Sequence, residues 1–106
     1  MTLRVRFFRV VPEKLDRLRW WMAEVARRRD EALETLANES VGHEAAWLLQ
    51  TADGPILVYA IEAEDLAQVD RAFQSSSFRI DHAHRRVMDE VLAEPFPSEA
   101  LLDLRA

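Results

Sequence analysis

The sequence predicts an α+β fold in which helices cover one face of an antiparallel sheet. Three features of the chain predict it: an alternating N-terminal segment, a long helical apolar stripe after Pro12, and an Asp-Gly turn between two apolar runs. A chain of 106 residues is large enough for one hydrophobic core and too small for two. We therefore expect a single domain over residues 1–106, with a C-terminal strand or tail from about residue 94.

The first strand and the first helix are predicted in residues 3–38. From residue 3 to residue 11, Leu3, Val5 and Phe7 point to one face of a strand and the residues between them to the other. Pro12 suits the first turn of a helix. Apolar residues then recur every three or four positions up to Leu36. This spacing predicts one long helix from residue 13 to about residue 38, followed by a turn at Gly42.

Residues 43–63 are expected to form a β-hairpin around Asp53-Gly54, a strong short-range turn signal. A two-residue loop at these positions places Leu49 opposite Val58 and Leu48 opposite Tyr59. Both faces of the hairpin are largely apolar, so we expect both to be covered.

Two shorter helices and a final strand are predicted in the second half. Asp65 and Gln68 have capping-box spacing at the start of one helix. Ser77 is a candidate cap for a second helix over residues 78–92, which the prolines at 95 and 97 end. Residues 101–104 form either a helical turn or, as we favour, a short last strand.

The resulting order, βαββαβ, is the ferredoxin-like plan, with an antiparallel sheet and helices on one of its faces. This plan leaves the other, apolar sheet face without cover. We therefore expect a homodimer in which two sheet faces pack together.

Composition and charge exclude several classes of function. The net charge of −5 argues against a nucleic-acid partner, and the lack of cysteine excludes disulfides and thiolate chemistry. No segment approaches the roughly 18 apolar residues of a membrane span, and the N-terminus lacks a signal-peptide pattern. We expect a cytoplasmic protein without a cofactor. His82 and His84 cannot share a metal ion on a helix, which requires a spacing of four.

His84 is the candidate catalytic residue. On a helix it shares a face with Ile80, Val87 and Val91 and points into the core, with Asp81 three residues earlier able to orient the ring. Three interpretations stay open: a hydrogen-bonded core histidine, a general base or ligand contact in a pocket, and an interface histidine.

Five further residues are candidate ligand contacts: Arg9, Trp20, Trp47, Tyr59 and Asp81. Arg9 ends an apolar strand face, where an arginine needs either a carboxylate (Glu44, Glu62 or Asp81) or an anionic ligand. Trp20 and Trp21 cannot both face the core, and Trp20 is expected outside it, at an interface or a pocket rim.

The chain resembles an uncharacterised small bacterial family of dimeric α/β-barrel domains. Three segments carry the resemblance: FFRVVPEKLDRLRWWMAEVARRRDEALETLANE, the Asp-Gly hairpin, and IDHAHRRVMDEVL. The shared features include Arg9, Pro12, Trp21-Met22, the DEALETL run and Ile80-Asp81-x-x-His84. The wider superfamily includes cofactor-free monooxygenases, haem-degrading enzymes and lactone isomerases. The haem-degrading enzymes use an asparagine on the first strand. The single asparagine of this chain is at position 38, so its first strand does not contain the asparagine that these enzymes use.

Two functions follow as hypotheses. The first is a structural or small-molecule-binding domain, with any ligand held between sheet and helices near Trp47, Tyr59 and His84. The second is a cofactor-independent monooxygenase-like or isomerase-like enzyme, with His84 as base and Arg9 holding an anionic substrate.

Overall fold

The computed structural model describes all 106 residues as a four-stranded antiparallel sheet and four α-helices, so the predicted α+β class is confirmed. The strands are β1 (Thr2–Val10), β2 (Val41–Thr51), β3 (Gly54–Ala63) and β4 (Leu92–Phe96), and the helices are α1 (Leu15–Arg27), α2 (Arg29–Glu39), α3 (Leu66–Gln74) and α4 (Arg79–Val91). A 3₁₀ turn, Pro12–Lys14, precedes α1. None of the helices combines the length and the apolar character needed to cross a bilayer.

The sheet has the strand order β2-β3-β1-β4, and each neighbouring pair is antiparallel. Its helix-covered face carries the even residues of β1 and the odd residues of β3, so that Phe8 lies opposite Leu57 and Arg6 opposite Tyr59. The alternation of β1 is as predicted, but the helices cover the face that bears Arg4 and Arg6. The more apolar face, with Leu3 and Val5, is the exposed one.

The single helix predicted between β1 and β2 is two helices. At Arg28 the backbone leaves the helical region (φ −92°, ψ 42°), although its N–H still bonds the Glu24 carbonyl at 2.9 Å. The break lets the two halves take different partners, because α1 packs against α4 and α2 against α3. Ser40, with a left-handed φ of 60°, makes the turn that was predicted at Gly42, which instead belongs to β2.

The β2–β3 hairpin forms as predicted, but its loop is one residue earlier. Thr51 pairs with Gly54, so Leu48 lies opposite Leu57 and Leu49 opposite Ile56. The Thr51 hydroxyl explains the shift, because it accepts a hydrogen bond from Asp53 N (3.2 Å) and donates one to Gly54 O (2.7 Å). Pairing partners move by two residues, an even number, so every side chain keeps its predicted face.

The last strand lies earlier than predicted. β4 follows α4 directly and pairs with β1, while residues 97–106 have no regular structure and expose Leu101, Leu102 and Leu104. The strand tolerates Pro95 because β4 is at the edge of the sheet.

The apolar core is divided into two clusters. The larger joins β1, β3, α1 and α4 through Val10, Leu18, Trp21, Leu57, Ile80, Val87 and Val91. The smaller joins β2, β3 and α3 through Val41, Ile61, Ala63 and Val69. Tyr59 packs against both clusters. The helices therefore meet the sheet in two places, with room for other side chains between them.

Candidate functional site

A cavity of about 590 Å³ lies between the helix-covered face of the sheet and the helices. This volume is in the range of small-molecule sites in proteins. Most of the residues that line it are apolar. They belong to the two apolar clusters or lie near them, and they include Val25, Leu36, Leu57, Ile61, Phe73 and Met88.

Five carboxylates line the cavity. Asp70 is paired with Arg4 and Asp89 is exposed, which leaves Glu39 at the end of α2, Glu44 on β2 and Asp81 on α4. We call these three residues the acidic group. Glu39 and Asp81 are buried, and Glu44 is partly buried. Like charges that share one cavity repel each other and raise the free energy of their ionised forms. The acidic group therefore places three carboxylates without an arginine partner in one cavity.

Glu39 is the member of the acidic group without a partner. Only 5% of the residue is exposed, and its carboxylate has no hydrogen bond or ion pair within the protein. Burial, followed by the charges of Asp81 and Glu44, raises the pKa of Glu39 to about 7. Its position as the last residue of α2 adds to this effect, since the negative end of a helix dipole disfavours an anion. Glu39 can therefore exchange a proton near neutral pH.

Glu44 and Asp81 each accept a hydrogen bond. The Tyr59 hydroxyl donates to Glu44 Oε1, and the Ser76 hydroxyl donates to Asp81 Oδ2 at 2.6 Å. Burial raises the pKa of Glu44, although the bond from Tyr59 acts in the opposite direction. Burial, followed by the Glu44 charge, raises the pKa of Tyr59 well above its usual value, so the phenol stays protonated and acts as a donor.

His84 is held by the buried Trp21, whose indole N–H donates to His84 Nδ1 at 2.8 Å. An indole N–H can only donate, so Nδ1 is the acceptor and the neutral ring carries its proton on Nε2. Burial lowers the pKa of His84, with the Asp81 charge opposing this effect. The ring is therefore neutral at pH 7, and its remaining nitrogen can donate a hydrogen bond to a ligand but has no free lone pair.

Two of the three arginines that line the cavity have partners other than the acidic group. Arg4 forms two 3.0 Å hydrogen bonds with the Asp70 carboxylate on α3. Arg85 donates to the Phe73 carbonyl at 2.7 Å and lies over the Phe73 ring. Arg6 is exposed. The acidic group is thus not neutralised by a neighbouring guanidinium.

The structure brings together three of the predicted site residues and separates the other three. His84, Tyr59 and Asp81 all line the cavity. Arg9 and Trp47 lie on the opposite face of the sheet, because the helices cover the even residues of β1 rather than the odd ones. Arg9 pairs there with Glu94 at 3.2 Å, and Trp47 is 58% exposed.

Trp20 is also outside the cavity. It is 51% exposed on α1, with the Arg17 guanidinium 4.6 Å from the centre of its ring. The expectation that Trp21 is buried and Trp20 is outside the core is confirmed, but a ligand in the cavity does not reach Trp20.

The sequence interpretation missed Glu39 as a site residue and considered Glu44 only as a partner for Arg9. A signal for both was present. Glu39 follows Ala32 and Leu36 at helical spacing, on the side of α2 that lines the cavity. Glu44 shares the strand face of Leu48.

No group of three or more His, Asp or Glu side chains has an arrangement that could hold a metal ion.

The sequence model of DUF6176, a family of unknown function, matches residues 1–106, and the chain belongs to that family. No curated protein and no solved structure matches the chain.

The stability of the fold is expected to depend on the ionisation of Glu39. The pKa of Glu39 in the folded protein, about 7, lies above the ordinary value of 4.5. Ionisation of Glu39 therefore costs the folded state free energy. This cost grows as the pH rises from 4.5 to 7 and reaches its full size above pH 7. Glu39→Gln removes this cost. We expect the variant to exceed the wild type in unfolding free energy by about 2 kcal/mol at pH 8 and by little at pH 4.5.

Urea unfolding at the two pH values measures this difference. Glu34→Gln, at an exposed position of the same helix, is the control and is expected to change stability by less than about 0.5 kcal/mol at both. An equal effect of Glu39→Gln at pH 4.5 and pH 8 would contradict the assignment.

Proposed function

We propose that this member of DUF6176 binds a small molecule in the cavity between the sheet and the helices. The observation that carries the proposal is the carboxylate of Glu39, which has no partner in the protein and opens into a cavity of about 590 Å³, although only 5% of the residue is exposed. Proteins rarely keep a buried charge without a partner, because its desolvation is costly. A ligand that fills the apolar part of the cavity and bonds its polar groups would offset that cost.

The geometry favours ligand binding over proton abstraction by His84. The acceptor nitrogen of His84 is already engaged by Trp21, and Arg9 is on the other sheet face, away from any substrate in the cavity. In the proposed site His84 is a hydrogen-bond donor through Nε2, and Asp81 is held in place by Ser76. Tyr59 orients Glu44.

We further propose that two chains associate through their open sheet faces, in the manner of a dimeric α/β barrel built from ferredoxin-like units. The open face exposes Leu3, Val5, Trp47, Leu49 and Phe96, each at 36% or more. A cluster of apolar side chains of this kind on a monomer is typical of an interface. The molecule measures 36 × 35 × 21 Å, and a sheet across its broad dimensions can provide the roughly 800 Å² per partner of a standard interface.

Binding in the cavity can be tested with three compounds that share one apolar body: 2-phenylethylamine, 2-phenylethanol and 3-phenylpropionate. We expect at least one to bind and to shift the backbone amide signals of residues that line the cavity in ¹H–¹⁵N NMR spectra. Ala32→Phe, which puts a ring into the cavity from α2, is expected to abolish binding, whereas Leu33→Phe, at an exposed position of the same helix, is not. If none of the three compounds binds at millimolar concentration, or if the shifted signals lie elsewhere, the proposed function is wrong.

The dimer can be tested by light scattering. We expect the wild type at micromolar concentration to have twice the chain mass of 12.3 kDa. Trp47→Glu places a charge in the apolar interface and is expected to give monomers. Trp20→Glu, an equally drastic change at an exposed tryptophan of α1, should leave the dimer intact. A wild type that is monomeric at all micromolar concentrations would contradict the proposal.

A further inference from the structure

We propose that the ligand of the cavity is an organic cation, an ammonium group on an apolar body, with the ammonium bonded to Glu39 and attracted by the charges of Glu44 and Asp81 in the same cavity. This inference rests on the proposed function, because it assumes that the cavity binds a small molecule. It specifies the chemical class of that molecule.

The first argument is the charge of the acidic group. Glu39, Glu44 and Asp81 line one cavity and come from three different elements, α2, β2 and α4. Of the three cavity arginines, Arg4 is paired with Asp70, Arg85 donates to the Phe73 backbone carbonyl and lies over the Phe73 ring, and Arg6 is exposed. None of them forms an ion pair with the acidic group. An anionic ligand would therefore meet net repulsion beside the acidic group, while a cation would relieve the mutual repulsion of the three carboxylates.

The second argument is the unused bonding capacity of Glu39. Only 5% of the residue is exposed, and its carboxylate, which opens onto the cavity, accepts no hydrogen bond from the protein. A carboxylate can accept several hydrogen bonds, and an ammonium has three donors to offer. Charge-assisted bonds between such groups are among the strongest in proteins. A neutral alcohol offers Glu39 one donor and no compensating charge.

The third argument is the position of Glu39 in α2. As the last residue of the helix, it lies at the negative end of the helix dipole, where cations are stabilised and anions are not. The dipole and the three carboxylates thus favour the same sign of ligand charge.

The remaining walls define the rest of the ligand. Val25, Leu36, Leu57, Ile61 and Met88 offer no hydrogen bonds through their side chains, so an apolar body fits against them. His84 adds one donor, Nε2–H, which an ether or hydroxyl oxygen of the ligand could accept. We infer a monoamine or amino alcohol with a hydrocarbon or aromatic body.

The test compares dissociation constants of 2-phenylethylamine, 2-phenylethanol and 3-phenylpropionate at pH 8, measured by NMR titration of the wild-type protein. The three compounds share the phenylethyl body and differ in the charge of the end group. We expect the amine to bind at least tenfold more tightly than the alcohol and the carboxylate to bind most weakly. Glu39→Gln is expected to reduce the preference for the amine over the alcohol to less than threefold, while the control Glu34→Gln keeps it.

The outcomes separate the inference from the proposed function. If the alcohol or the carboxylate binds in the cavity as tightly as the amine, the inference is wrong and the binding function stands. If the amine preference survives Glu39→Gln, the assignment of the ammonium to Glu39 is wrong. If Glu39→Gln does not fold, the ranking of the three compounds on the wild type still decides the ligand class. Failure of all three compounds to bind overturns both proposals.

Discussion

The interior of this protein is organised by three carboxylates that cannot pack into an apolar core. Glu39, Glu44 and Asp81 line a cavity that residues of both apolar clusters also line, and the desolvation and mutual repulsion of these carboxylates oppose closure of the space around them. The α1–α4 pair can close tightly around Trp21, and α2–α3 can close over Ile61 and Val69. Between these two contacts the cavity stays open. A cavity of about 590 Å³ in a chain of 106 residues is the consequence.

The sheet separates two surfaces of different character. On β3, Leu57, Tyr59 and Ile61 face the cavity, while Val58 and Ala60 face the open side. A single strand thus connects the site to the surface that we propose as the dimer interface. The same strand has different sequence requirements on its two faces: the cavity face combines apolar residues with a hydrogen-bonding phenol, and the open face is apolar up to Glu62 near the end of the strand. This division explains why β3 is apolar on both faces.

Local patterns were sufficient to predict much of the fold. Alternation identified β1, the Asp-Gly turn identified the hairpin, and the spacing in α4 placed Ile80, Val87 and Val91 in the core. The break at Arg28 has no helix-breaking residue to indicate it. It coincides with a change in packing, since α1 packs mainly against α4 and α2 mainly against α3. The final strand was misplaced because β4 contains Pro95, which an edge position tolerates.

The residues of the site were harder to predict, because their positions also depend on how the helices pack against the sheet. Alternation shows that β1 has two faces but not which of them the helices cover, and the apolar face was assumed to be the inner one. The inner face in fact bears Arg4 and Arg6, so Arg9 was assigned to the wrong side. Trp47 was named as a ligand contact together with Tyr59, although a hairpin that pairs Leu48 with Tyr59 places Trp47 on the other face. Glu39 was overlooked because a glutamate at the end of a helix is usually solvated. Only the fold shows that Glu39 is buried at the end of α2, where its neighbours Asn38 and Ser40 are exposed.

The most direct test of this account is the ionisation of Glu39 itself. The side-chain carboxyl carbon of Glu39 can be followed by ¹³C NMR across a pH titration of the ligand-free protein, with its signal assigned by comparison with Glu39→Gln. The account predicts a midpoint near pH 7, because the carboxylate is buried beside Asp81 and Glu44 without a partner. A midpoint near the ordinary glutamate value of 4.5 would contradict it, since Glu39 would then be solvated or paired and the cavity would have no uncompensated charge for a ligand to meet.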